Sequence, residues 1–195
     1  MILSDTGIRR ELLQRRLIID PTPEDSQIQP ASIDLTLDSW FAVPAKDKVF
    51  ASEPFSPFAE VANQKNHVRP YHMADAEDYW WRFCLAPEAS LLIKPGDFLL
   101  ASTREVINLP AHLVGRVEGK STPARWGLIV HTTAGFIDPG FEGPITLELV
   151  NVGPFAYYLH PGDSICQLSL EEVAPLPSVT YHGHYQHQHR PGLPV

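Results

Sequence analysis

Glu148 lies in ITLELV, where Ile145, Leu147 and Leu149 share one face of an extended strand and Thr146, Glu148 and Val150 share the other. A carboxylate on a rigid strand that lines a cleft can pass protons in both directions. On an edge strand facing water, the same residue is an ordinary exposed glutamate. Upstream, KSTPAR places the hydroxyls of Ser121 and Thr122 between the cations of Lys120 and Arg125, with Pro123 and Ala124 in between. Hydroxyls and backbone N–H groups donate to phosphate oxygens, and a guanidinium adds paired contacts. The glycine spacing of a Walker A loop is absent, and a plain surface turn is the alternative. Between these segments runs AGFIDPG. Gly135 lets the backbone approach a ligand closely. Asp138 is held extended by Pro139 and can accept a hydrogen bond from a sugar hydroxyl, or it can cap an Asx turn.

Short strands must carry these groups. Nineteen prolines and twelve glycines are spread through the chain and punctuate many brief apolar runs, the pattern of a β-rich domain. One helix is expected near the start, with Ser4 as N-cap and Ile8, Leu12 and Leu13 at helical spacing. A second short helix is expected near 109–113. SIDLTL at 32–37 alternates like a half-buried strand that 40–43 continues. LLIKPGDFLLAST reads as two strands around a Pro-Gly turn. Further strands are expected at 114–118, 128–132, 145–151, 156–159 and 164–171. Pro-Gly-Asp occurs at 95–97 and again at 161–163, which reads as shared turn chemistry. Residues 44–80 are irregular and read as a loop or inserted flap. The tail, 181–195, has no apolar period and is expected to be mobile on its own. The architecture predicted is mainly β, a β-barrel or jelly roll with one short N-terminal helix, in a single domain over 1–195.

A chain of 195 residues with 44% hydrophobic content suits one globular domain. The formal net charge of −8 argues against non-specific nucleic-acid binding, although local cations can still hold a nucleotide. No apolar run approaches bilayer length, and the N-terminus lacks a secretory layout, so a cytoplasmic protein away from membranes is expected. Cys84 and Cys166 are far apart in sequence, which suits two buried free thiols. His182, His184, His187 and His189 alternate through the tail, yet no acidic or thiol partner completes a metal set there.

GRVEGKSTPARWGLIVHTTAGFIDPGFEGPITLELVN resembles the nucleotide-binding and catalytic core of the dCTP deaminase family, a branch of the dUTPase-like superfamily. MILSDTGIRREL, PASIDLTLD, LLIKPGDFLLASTREVINLP, PGDSICQLSL and HYQHQHRPG extend the resemblance over most of the chain except about 44–80. It implies a distorted β-barrel or jelly roll assembled as a homotrimer, with active sites between subunits. It implies Glu148 as general base and acid toward water attacking C4 of cytosine, with the Ala134 carbonyl and Arg125 holding that water. Lys120, Ser121 and Thr122, in the segment with Pro123 and Ala124, would meet the nucleotide and its phosphates. Asp138 would bind the deoxyribose 3′-hydroxyl, and Thr146 and Leu147 would frame the base. Tyr181 and Gln188 would come from a tail that closes over the triphosphate and its Mg²⁺. The H-x-E and P-C-x-x-C signature of zinc deaminases is absent, so zinc-free activation of water is expected.

Gly135 and Phe136 are similar to the branch that releases dUMP and pyrophosphate, and Gln167 resembles a phosphate-contacting glutamine of dUTPases. Asp34 resembles the aspartate of the first dUTPase motif, as a helper for Mg²⁺ or for a second water; a strand-end cap is its other reading. The expected partners are therefore dCTP, dUTP and dUMP, with dTTP a candidate feedback inhibitor. A deaminase that stops at dUTP, a pure dUTPase and a non-catalytic nucleotide sensor are the competing readings. Three residues depart from the family pattern. Thr122 stands for the usual serine, Pro123 removes a backbone donor, and His184 replaces a lysine, implying a weaker or pH-dependent tail closure.

Overall fold

The computed structural model describes residues 1–45 and 79–193. The fold is mainly β and its sheet curls into a half-barrel. Helix α1 (Asp5–Leu13) opens the chain. Ser4 takes the N-cap position without a side-chain cap bond, and its hydroxyl lies 3.1 Å from that of Thr6. The helix buries Gly7, Ile8 and Glu11 and packs Leu12 against the core, whereas Leu13 is exposed, so Glu11 and not Leu13 completes the inward face. A carboxylate holds that place because Arg16 donates to Glu11 at 2.8 and 2.6 Å and His112 Nε2 lies 3.0 Å away. The Arg16 hydrogen bonds outweigh desolvation and hold the Glu11 carboxyl down at about 2.

The strands are β1 (Ile18–Asp20), β2 (Ile28–Gln29), β3 (Ser32–Pro44), β4 (Trp80–Cys84), β5 (Leu91–Ile93), β6 (Phe98–Asn108), β7 (Leu113–Gly119), β8 (Leu128–Ile129), β9 (Phe136–Ile137), β10 (Glu142–Asn151), β11 (Tyr157–Leu159) and β12 (Ser164–Glu172). Helix α2 (Ser121–Arg125) lies between β7 and β8. The large sheet runs β8-β10-β6-β3-β12-β7-β9, with β1 added to β6 and with β2 and β4 added to β3. Alternation supplies its core: Ile33, Leu35, Leu37, Leu147, Leu149, Leu168 and Leu170 turn inward and are fully buried.

Several expectations change. Residues 109–113 form a turn closed by Leu113 N–H to the Pro110 carbonyl, not a helix. Pro110 sits too close behind β6 and ahead of β7 to leave room for one. The short helix appears instead at 121–125, where Pro123 falls in a first turn whose N–H groups have no helical partner anyway. The two strands expected around the Pro-Gly turn at 95–96 are β5 and β6, and β5 pairs with β11. The two Pro-Gly-Asp turns are built alike. Gly96 (φ 83) and Gly162 (φ 90) take the left-handed conformation, and each aspartate accepts from the backbone three residues back, Asp97 from Lys94 and Asp163 from His160, both at 2.8 Å. Strand β8 stops at Ile129, so 130–135 is loop. Cys166 is buried, and burial pushes its thiol up, but Cys84 is exposed at the end of edge strand β4. Most of the loop or insert expected at 44–80 lies outside the described residues; Pro44 closes β3 and Trp80 opens β4.

Candidate active site

Strand β10 carries Glu148 between β6 and β8. Its pairing with β6 shifts register between Pro144 and Thr146, where the Ile145 N–H turns to the Thr103 hydroxyl at 2.9 Å. A proline at this point cannot donate to the ladder, and the irregularity re-aims the residues that follow. Beyond it the alternation is regular. Leu147 is fully buried while Thr146 and Glu148 face a cavity of about 330 Å³. Leu147 therefore does not line the space in which the sequence had it frame a base; Leu100, Phe141 and Ile145 supply the apolar wall.

The loop after β8 is pegged to Glu148. Thr132 donates to Glu148 Oε2 from its backbone N–H at 2.8 Å and from its hydroxyl at 2.6 Å, and the Glu148 N–H donates to the Val130 carbonyl at 3.1 Å. Two donors on one oxygen fix the carboxylate and leave Oε1 for a ligand. Sequence reasoning missed Thr132, although the paired hydroxyls of HTTAG were a visible signal. Gly135 is needed for space: a Cβ there would lie 2.9 Å from the His131 ring and 2.9 Å from the Val117 carbonyl. The glycine thus accommodates His131 and strand β7, where a close approach of ligand to backbone had been expected. His131 Nδ1 is buried without a hydrogen-bond partner among the described residues.

Ala134, Phe136 and Asp138 line the same cavity, as do Tyr181, Tyr185, Gln188 and Gly192 of the tail. The tail had been expected to lack an anchor of its own, yet Leu193 is 4% exposed against Ala42, Leu100 and Trp80. Gln186 and Gln188 side chains donate to the Gly140 and Pro144 carbonyls at 2.9 and 2.7 Å, and the Gly192 N–H donates to the Thr146 hydroxyl at 2.9 Å. One leucine and backbone-directed glutamines replace an apolar period. Gln188 Oε1 stays buried without a donor among the described residues, an open acceptor at the cavity wall. Of the tail histidines, His187 lies 3.6 Å from Glu142, and His184 is exposed.

The remaining predicted residues gather elsewhere on the chain. None of Lys120, Ser121, Thr122, Pro123, Ala124, Arg125 and Gln167 lines the Glu148 cavity. Lys120 pairs with Asp34 Oδ2, which also accepts from Gln29 at 3.2 Å. Gln167 stands opposite Asp34 in the β12–β3 register and accepts from Ser32 at 3.3 Å. Ser121, Thr122, Ala124 and Arg125 are exposed and Pro123 is buried. Behind Arg125 the backbone is locked: a Cβ on Gly127 (φ 93) would lie 2.2 Å from the Gly153 nitrogen. Within one chain the expected residues therefore fall in two places, around Glu148 and around Lys120.

Asp34 is 8% exposed and its Oδ1 is buried without a partner among the described residues, a feature that could meet a cation. Its other oxygen is committed to a lysine, and among the described residues no three His, Cys, Asp or Glu side chains gather to hold a metal. These donors fit an ion that brings most of its ligands with it, such as Mg²⁺ on phosphate oxygens. No helix among the described residues is long and apolar enough to cross a membrane.

A half-buried carboxylate with one oxygen fixed by Thr132, facing a cavity of about 330 Å³ on a curled β-sheet, is an arrangement suited to proton transfer. The dCTP deaminase-like family model matches residues 2–173, and the chain belongs to that family. It is 38% identical over 183 residues to a dCTP deaminase, dUMP-forming, of Methanosphaera stadtmanae, covering 94% of this chain and 84% of that protein. It is 40% identical over 198 residues to a protein of the same name in Streptomyces coelicolor, covering 98% and 93%. Among solved structures, the 2′-deoxycytidine 5′-triphosphate deaminase of Agrobacterium tumefaciens shares the fold with a TM-score of 0.61 at 23% identity, covering 87% of this chain and 47% of that one. The present chain thus spans about half the length of that structure.

Proposed function

We propose that this protein deaminates dCTP at cytosine C4 and cleaves the deaminated nucleotide to dUMP and pyrophosphate. The observation that carries the reading is Glu148, fixed through one oxygen by Thr132 and open through the other to a cavity bounded by Asp138 and the tail. Glu148 takes a proton from water as the hydroxide bonds to C4. It gives that proton to the ring nitrogen, takes a second from the new C4 hydroxyl as the C4=O bond forms and passes it to the leaving nitrogen, the C4–N4 bond breaks, and ammonia departs. The Ala134 carbonyl orients that water. Asp138 accepts from the 3′-hydroxyl, Thr146 faces the base, and Tyr181 and Gln188 cover the nucleotide. A second water then attacks phosphorus, giving dUMP and pyrophosphate; Gly135, Phe136 and Gln167 belong to this part of the reading. Names of relatives at 38% to 40% identity support both steps.

Arg125, Ser121, Thr122 and Lys120 reach the substrate in this reading from a second copy of the chain. Their separation from the Glu148 cavity supports a homotrimer whose sites lie between subunits, closed as a distorted β-barrel or jelly roll around one domain spanning 1–195. Mg²⁺, held by the triphosphate with Asp34 nearby, screens phosphate charge. The exposed Cys84 thiol suits a reducing cytoplasm.

Incubating the protein with dCTP and Mg²⁺ while reading ammonia, dUTP, dUMP and pyrophosphate together tests the proposal. Ammonia with equal dUMP and pyrophosphate is expected. Accumulating dUTP would reduce the activity to deamination alone, and folded protein without turnover would overturn the reading.

A further inference from the structure

Three adjacent strands, β12, β7 and β9, place Glu171, Arg116 and Phe136 in a row on the outer face of the sheet. Arg116 stands directly across from Phe136, and Glu171 lies diagonally two residues beyond its partner Ser169. The Arg116 guanidinium carbon is 5.1 Å from the Phe136 ring centroid, and its Nε donates to Glu171 Oε1 at 2.7 Å. Glu171 is itself tied down, since Ile2 bridges to it and the Glu172 N–H donates to the Met1 carbonyl at 3.0 Å. Phe136 is 50% exposed yet lines the Glu148 cavity, between Ala134 and Asp138, so its ring stands at the mouth. A half-exposed ring without a partner would swing freely; a cation over its face, held by a carboxylate, restricts it.

We infer that Arg116, held by Glu171, is a positioning residue that keeps the Phe136 ring across the mouth and thereby retains the deaminated nucleotide until its phosphate is cut. The inference rests on the dUMP-forming reading. In that reading dCTP and water give dUTP and ammonia, and dUTP and a second water give dUMP and pyrophosphate. Bound dUTP has two exits, release through the mouth or cleavage of the bond from the α-phosphorus to its bridging oxygen. The ratio of dUTP to dUMP therefore measures how well the mouth stays closed. Deamination precedes that branch and does not depend on it.

The test compares wild type, Arg116→Gln, Arg116→Lys and Glu171→Gln in single-turnover reactions with dCTP and Mg²⁺. Arg116→Gln should raise the dUTP:dUMP ratio about fivefold while the ammonia rate changes less than about twofold. Arg116→Lys, which keeps a cation over the ring, should restore part of the wild-type ratio, and Glu171→Gln should shift it the same way by a smaller amount. A purely structural lesion would lower ammonia and dUMP together without moving the ratio. An unchanged ratio in both Arg116→Gln and Glu171→Gln, with wild type forming dUMP, overturns the positioning role alone. Wild type that releases ammonia but only dUTP overturns the two-step reading and this inference with it. If Arg116→Gln does not fold, Glu171→Gln and Arg116→Lys decide.

Discussion

The Glu148 cavity and the Asp34–Lys120 cluster make opposite use of their polar groups. Around Glu148 most polar groups are tied within the chain: Thr132 fixes the carboxylate, Thr146 receives the tail, and glutamines tie the tail to β10 and the turn before it, with Gln188 Oε1 and His131 Nδ1 left unpaired among the described residues. Around Lys120 the hydroxyls and the guanidinium face outward, since Ser121, Thr122 and Arg125 are exposed, and Asp34 Oδ1 is buried with no partner among the described residues. A carboxylate that must move protons has to be held before substrate arrives. Donors that grip phosphates can wait for their acceptors.

That contrast can be broken by substitution. The largest effect is expected from Glu148→Gln, which should lower ammonia release about 1,000-fold while dCTP still binds, measured by single-turnover kinetics and calorimetry. Retention of more than a tenth of the activity would remove Glu148 from the role of base. Arg125→Gln should cost roughly 100-fold through lost charge stabilisation. Mixing the two inactive variants, after dissociation and reassembly, should recover roughly a quarter of the activity, because sites built from two copies can draw both intact residues. No recovery would mean that each chain uses its own arginine. Thr132→Val, which keeps the N–H donor and removes the hydroxyl, should reduce kcat about tenfold. Glu11→Gln lies outside both regions and should leave kcat unchanged. The charged Glu11 is stabilised in the folded state, with its pKa brought from 4.5 to about 2. Its contribution, about 3 kcal/mol, is whole above pH ~4.5, shrinks as pH falls and is lost below pH ~2. Urea unfolding of wild type should therefore weaken between pH 5 and 3 more than that of Glu11→Gln.

The contrast also marks what a sequence can carry. Alternation in ITLELV located the outward face of Glu148, because strand periodicity is local, and Pro-Gly-Asp located two turns for the same reason. Pairing of β5 with β11 is a contact between distant segments and left no local mark. Leu13 misled because an apolar residue at helical spacing outranked a charged one, and only Arg16 and His112, brought together by folding, make buried Glu11 tolerable. The candidate residues stand close together in the line of text, but only some of them line one cavity in the chain. Their division between two places is a property of strand order, which the line does not contain.

That strand order has a symmetry. In an antiparallel pair a local two-fold axis passes between the central partners, here Leu92 and Tyr158. Four residues past each lies the glycine of an identical turn, Gly96 or Gly162, and past each turn a long strand, β6 or β12. β6 and β12 then flank β3 on its two sides. One arm leads on to β10 and Glu148; the other leads to β7, Gln167 and Lys120. The chain thus places Glu148 and the Lys120–Arg125 segment at the unlike ends of a pseudo-dyad centred on a three-residue ribbon.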